Sequence, residues 1–334
     1  HLIIKDDSIQ NQLSINNSFV KEIVQSQNGV NFKIQSFNGA LNNFKIDNFS
    51  SIASIKGDKF RLNNTYLANQ NNYIKGDITL DFDKDLQIKN ISNASLNFNL
   101  DPSSLNIGRK NFIVDNIYSG QIEFSGSYKE LIVDNFFLNN DFFEFNAQIN
   151  IKDILSENIE INSQINSLNI NKEFIISNFE INEKLDLPLF QGNLNIKNKD
   201  LEFNLNQLND SKSNIYINGT AMLNNNFNYQ LDIKSKLVED DQILEIMGLD
   251  YLDFDSTIKG TTKELNYINS DINFIKKNNE YNVKTDSFIN NNNLEGTILL
   301  SSEKINIDSN ISGNILRKTF DISSKIIYND KDDS

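Results

Sequence analysis

The residues best equipped for chemistry are three aspartates at alternate positions, Asp81, Asp83 and Asp85, in the run DFDKDL. Carboxylates at the first, third and fifth positions open an EF-hand calcium loop, which also requires Gly at the sixth position and Glu at the twelfth. Those positions hold Leu86 and Ser92, so the run lacks both the turn and the bidentate ligand. Period-two spacing instead puts all three carboxylates on the polar side of a strand. Asp253 and Asp255 alternate with Leu252 and Phe254 in the same way, the pattern of a solvated face and not of an acid–base pair. Nucleophilic catalysis lacks its parts too. The one histidine is His1 and there is no cysteine, so neither a Ser–His nor a Cys–His system can be assembled. Disulfides and thiolate metal sites are excluded with it. Asn-x-Ser/Thr matches such as Asn218-Gly219-Thr220 are expected by chance at this asparagine content. No cofactor is implied and nothing marks an enzyme.

The elements around these residues explain their spacing. The 334 residues could make about two ordinary domains or one very elongated one. Apolar content is 38%, with 24 Phe, ten Tyr and no Trp, enough to bury one face but thin for two compact cores. The net charge of −14 repels phosphate backbones and anionic headgroups, which argues against nucleic acid and against peripheral attachment to a charged bilayer. Asparagine is the outlier, and Ile and Lys are also abundant, which reads as codon drift in an AT-rich genome. The sharper alternative is an aggregation-prone low-complexity chain. Regular alternation of Ile, Leu and Phe opposes it, because low-complexity tracts have no second, apolar face. No run of about 18 apolar residues and no signal-peptide pattern occurs. A start at His1 in place of Met leads us to expect a piece of a longer protein, with any membrane anchor outside it.

Alternation is the main signal. In YSGQIEFSGSY, Tyr118, Gly120, Ile122, Phe124, Gly126 and Tyr128 share one parity. After a turn at Lys129-Glu130 comes LIVDNFFL, and after Asn139-Asn140-Asp141 comes FFEFNAQINI, with Phe143, Phe145, Ala147, Ile149 and Ile151 aligned. The same period places Leu194 and Ile196, then Phe203 and Leu205, Ile215 and Ile217, Leu231 and Ile233, Ile258, and Ile298 and Leu300. Alternation over five to nine residues between turn residues predicts half-buried antiparallel strands. Asn tolerates the left-handed conformation of tight hairpins, so LNNNF, KKNNEY and INNNNL read as hairpin tips. Glycines fall elsewhere: Gly76, Gly120, Gly126, Gly192, Gly219, Gly260, Gly296 and Gly313 sit inside or at the start of strands. Such glycines mark either a sharp bend of the sheet or local bulges. One segment, VEDDQILEIMGLD, reads as helix, capped by Asp240 or Asp241, with Ile243, Leu244, Ile246 and Met247 on one face and Gly248 ending it. Only weak breaks occur, near Ser156 and before Pro188, around residue 187, so residues 1–334 are read as one elongated region.

About twenty strands at ~4.8 Å spacing need one apolar face covered, with almost no helix to cover it. Stacked sandwiches, a closed barrel or one long curled trough are the solutions. Sandwiches break into units with visible linkers, and a transmembrane barrel wants aromatic girdles. A curled trough leaves an apolar groove that must hold something apolar, and lipid is the obvious candidate.

The stretch from PLFQGNLNIKNKDLEFNLNQL through INGTAML, a short helix ending in IMGL, and STIKGTTKELNYINSDINF resembles the repeating β-groove proteins of the AsmA-like family. It is most similar to the central region of YhdP-type members, with TamB a more distant relative. SGQIEFSGSYKELIVDNFFL shares the cadence, so the resemblance extends loosely over most of the chain. It implies an all-β fold, a long, twisted and curled antiparallel sheet with one short helix. It also implies a periplasmic protein anchored in the inner membrane, carrying phospholipid or another acyl lipid along the groove during outer-membrane biogenesis. The Asn-rich composition and the missing N-terminal membrane helix depart from that pattern. Ile122, Phe124, Phe143, Phe145, Ile149, Leu194, Ile196, Phe203, Leu205, Ile215, Ile217, Leu231, Ile233, Ile258, Ile298 and Leu300 are the expected lining. Keeping ~16 methylenes out of water is worth about 13 kcal/mol at ~0.8 kcal/mol each. The competing reading is an extracellular structural or adhesin-like β module with a filled core.

Overall fold

Strand pairing accounts for nearly every described residue of the computed structural model, which is all-β and antiparallel. It describes residues 2–6, 11–15, 19–26, 29–41, 44–70, 72–85, 87–101, 117–156, 158–172, 188–208, 213–223, 228–238, 244, 247–261, 265–290, 293–314, 317 and 319–328. The chain divides into two units, His1–Asn171 and Lys172–Ser334.

The first unit contains β1 (Leu2–Asp6), β2 (Asn11–Ile15), β3 (Phe19–Ser26), β4 (Gly29–Leu41), β5 (Phe44–Lys56), β6 (Lys59–Asn69), β7 (Asn72–Phe82), β8 (Ile88–Leu100), β9 (Tyr118–Gly126), β10 (Glu130–Asn139), β11 (Phe143–Lys152) and β12 (Glu160–Ile170). β2 and β3 both pair with β4, at opposite ends of it. From β4 to β12 each strand pairs with the next, always antiparallel. The second unit contains β13 (Phe190–Lys197), β14 (Asp200–Gln207), β15 (Asn214–Met222), β16 (Asn228–Leu237), β17 (Tyr251–Thr261), β18 (Leu265–Lys276), β19 (Asn279–Asn290), β20 (Asn293–Ser302), β21 (Ile305–Asn314) and β22 (Thr319–Tyr328). These ten follow one another in the same antiparallel order. Among the described residues no pairing joins β13 to β22, so this sheet is not closed into a barrel.

Hairpin chemistry follows the residue types. The β18–β19 hairpin pairs Lys276 with Asn279 around Lys277 and Asn278, with φ of 50° and 62°. Asn198 and Lys199 do the same between β13 and β14. Two consecutive left-handed residues make the turn whose twist matches that of the strands it joins. At the β10–β11 turn the Asn140 side chain accepts from the backbone N–H groups of Phe142 and Phe143, 2.8 and 2.9 Å away. Asn224–Asn226 and residues 291–292, two other expected tips, lie outside the described residues.

Helix is nearly absent among the described residues. Leu244 and Met247 are helical, and Gly248 follows at φ 64°. The Leu249 N–H donates to the Leu244 carbonyl at 3.0 Å, the long bond of a glycine-terminated helix end. Leu244 is buried, whereas Met247 is 50% exposed, so Met247 does not share the buried side expected for it. Met247 sits directly before the cap at Gly248. Ile243 and Ile246 lie outside the described residues.

Candidate functional site: a two-sided sheet

Residues directly opposite each other in an antiparallel ladder point to the same face. In the second unit this rule traces apolar rows across the strands. Leu194 is opposite Phe203, Phe203 opposite Gly219, Gly219 opposite Leu231 and Leu231 opposite Ile258. A neighbouring row joins Leu205, Ile217 and Ile233. Ile196, Ile215, Ile298 and Leu300 fall on that same face. In the first unit Ile122 and Phe124 oppose Phe136 and Val133, and these oppose Ala147 and Ile149. Phe145 lies opposite Leu138 and Leu168, and Phe143 opposite Ile170. Every expected lining residue therefore lies on one face of its own unit.

Burial on that face is unusual. Leu205 is buried, but the other fifteen expected lining residues are only half-buried. The fully buried positions there are mostly small: Ala53, Ala94, Ala147 and Ala221, with Ser51, Thr65, Ser256, Ser270 and Ser309. The hydroxyls pair with each other across strands, Ser51 with Thr65 at 2.9 Å and Ser256 with Ser270 at 2.8 Å. Large apolar side chains inside a filled sandwich are buried from both sides. Here most of them are covered by lateral neighbours only in part, while Val133, Ile165, Phe190 and Leu237 on the same face are buried.

The opposite face is polar and joined by direct cross-strand partners. Lys234 reaches Asp255 at 2.8 Å, Lys284 reaches Asp271 at 2.9 Å, and Thr257 donates to Asp232 at 2.6 Å. Hydrogen bonds from Lys284 and Asn282 hold the Asp271 carboxyl below the usual carboxylate range. The Ser92 hydroxyl, 2.6 Å away, does the same for Asp81, with Lys59 and Asn90 adding to it. Asp83 accepts from the backbone of Asp85 and Gln87, both at 2.9 Å, so the DFDKDL run is a strand end followed by a carboxylate-held turn. Burial and the neighbouring Asp253 push the Tyr251 hydroxyl up. A shallow, open depression of about 640 Å³ at the strand ends holds Asp200, Glu202 and Lys259, and brings together no paired acid and base.

One feature escaped the reading of alternation. In the first unit all seven successive pairings from β5 to β12 carry a register shift near mid-strand. The extra residue of the mid-strand shift lies in β6, β8, β10 or β12, beside Asn63-Asn64, Ser92-Asn93, Asp134-Asn135 and Asn166 respectively, and β8 carries a second extra residue, Lys89, near its start. The strands read LNNTYL, ISNASL, VDNFFL and INSLNI there: apolar, polar, Asn or Ser, two residues, apolar. The parity of the apolar residues changes across each: Leu131 and Val133 are odd, Phe136 and Leu138 even. An extra residue brings both sets to one face, and Asn64 takes the left-handed φ of 51° to do so. The side chains of this line also bond across it, Asn166 donating to Asn146 at 2.9 Å and Asn146 to Asn135 at 3.3 Å. The parity change was the signal that could have located the bulges.

Fold and site together define a class: an all-β protein built of antiparallel sheet, not closed into a barrel, with one polar and one half-buried apolar face. No protein-family model, curated protein or solved structure matches the chain.

Proposed function

We propose that the apolar face carries acyl lipid, with the sheet curled into a groove around the chains. The observation that supports this most is the half-buried state of large apolar side chains that share one face. A surface of this extent needs an apolar cover in water. The line of bulges in the first unit supports a curl, because each bulge bends its strand. The resemblance to AsmA-like proteins points the same way and brings with it a periplasmic location, a phospholipid cargo and an inner-membrane anchor outside these residues.

The test is mass spectrometry of lipid co-purified with the wild type and with Ile217→Asp, alongside a melting curve for each. Ile217 lies mid-strand, between Leu205 and Ile233. In an open groove the new carboxylate is hydrated when lipid is absent, so the fold survives while lipid is lost. In a filled core it is a buried unpaired charge and the protein unfolds. Lipid-free wild type together with a collapsed variant favours the structural or adhesin-like module instead.

A further inference from the structure

The polar face of the second unit carries the next inference, which does not depend on lipid carriage. Its ladder runs Glu202, Thr220, Gln230, Lys259, Tyr267 and Phe288, each opposite the next, one residue on each of six successive strands. The first four line the open depression of about 640 Å³. The last two form an aromatic pair beside it, with ring centroids 4.9 Å apart and Phe288 58% exposed. Lys259 joins the two parts, because its ammonium lies 5.7 Å from the centre of the Tyr267 ring. Burial and the Asp286 carboxylate, which accepts from it, push the Tyr267 hydroxyl up, so the ring is also anchored at its hydroxyl end. Among the described residues, one of the nine successive pairings of the second unit carries a register shift, and it falls here. Between Lys259 and Gly260 of β17, the partner strand β18 has one extra residue, Asn266, which lines the depression. Bulges occur where a side chain is re-aimed toward a site. A merely solvated face requires neither this bulge nor two adjoining rings.

We propose that this row binds a neutral, glucose-type oligosaccharide laid across the strands, stacked on Phe288 and Tyr267 and hydrogen-bonded along the depression. A pyranose with equatorial hydroxyls has an apolar face of axial C–H bonds, which packs on an aromatic ring. Its rim of hydroxyls both donates and accepts. The row supplies the complement of each: two rings, then an ammonium, an amide, a hydroxyl and a carboxylate. Successive strands are ~4.8 Å apart. A β-1,4-linked chain advances by about the same length per sugar, so each sugar meets one strand. Charge selects against acidic sugars. Glu202, Asp286 and Glu295, which is opposite Phe288, outnumber Lys259 around the row, and the whole chain carries −14. An open site leaves much of the ligand in water, so the affinity is modest.

Saturation-transfer NMR and calorimetry with cellohexaose, a soluble β-1,4-glucan, test this on the full chain. Cellohexaose binds the wild type, and saturation is strongest at the axial protons of its sugars. Phe288→Leu keeps an apolar side chain at an exposed position but removes the ring, and it weakens binding about tenfold. Phe288→Tyr keeps the ring and the binding. Leu299→Ala, at an exposed apolar residue elsewhere on the same face, leaves binding unchanged. Circular dichroism melts of the three variants match the wild type, which separates loss of the ring from loss of the fold. C6-oxidised cellohexaose, with a carboxylate on each sugar, binds more weakly than the neutral chain. Absence of binding at millimolar cellohexaose, binding that Phe288→Leu leaves intact, or a preference for the acidic chain overturns the proposal.

Discussion

Phe203 lies across Gly219 on the neighbouring strand, so close that a Cβ added at Gly219 would overlap the ring. Two other in-strand glycines have the same partner type directly opposite. A Cβ at Gly120 would fall 2.6 Å from Phe98, and one at Gly313 would fall 2.6 Å from Phe320. Gly120 also leaves room for the Phe98 ring to reach Phe136 two strands away, at 6.5 Å between centroids. At Gly219 the ring is the nearest group, whereas at Gly120 and Gly313 a backbone oxygen of the neighbouring strand lies nearer still. Gly219→Val is expected to cost about 1–3 kcal/mol through overpacking. Combining it with Phe203→Leu recovers part of that loss, because the cost is steric. Urea denaturation of the two single variants and the double variant measures the coupling, and strict additivity would count against this contact.

Gly248 has the opposite cause. Its φ is 64° and nothing lies within 4 Å of an added Cβ. Gly248→Ala therefore costs only the left-handed backbone penalty, about 1 kcal/mol, and Gly248→Asn costs less. Thermal melts of the two variants give the comparison, and no change in the size of a neighbouring side chain rescues either one.

Deleting Asp134 should leave a folded protein. The deletion removes the extra residue of β10 and brings Phe136 and Leu138 into regular alternation with Leu131 and Val133, still on the apolar face. Deleting Asp232 from the regular strand β16 sends the apolar residues on one side of the gap to the polar face. Circular dichroism should show strand content and a cooperative melt retained in the first variant and lost in the second. Loss in both would mean that the bulge is required for folding as well as for bending.

Acid should weaken the polar face. Asp271 and Asp81 are held below the usual carboxylate range by hydrogen bonds, first from Lys284 and from Ser92 respectively. The unfolded chain binds protons at these groups at a higher pH than the folded one. Their stabilisation is therefore present above the unfolded pKa and is lost as pH falls through the folded pKa. The stability difference between the wild type and Asp271→Asn should be steady near pH 7 and shrink from about pH 5 downward. It should stay within about 1 kcal/mol, because both partners are well exposed. A difference that grows on acidification would contradict the assignment.

Much of the fold was legible in order along the chain. Period-two alternation depends only on the strand geometry of single residues, so it marked Leu194, Phe203, Ile217 and Ile233 for one face before any pairing was known. Turn chemistry is equally local, which is why Lys277-Asn278 and the Asn140 turn were readable. The absence of cysteine removed disulfides and thiolate chemistry from these residues by residue type alone. Three things required the tertiary structure. Which residues face one another depends on register, so the ring of Phe203 over Gly219 and the Lys284–Asp271 pair appear only when strands meet. The bulges of β6, β8, β10 and β12 left a trace in sequence as a change of parity, but their alignment into one line belongs to the assembled sheet. Exposure is the third. An apolar side chain carries the same pattern whether a second layer covers it or not, and only the packed structure leaves fifteen of the sixteen expected lining residues half-buried.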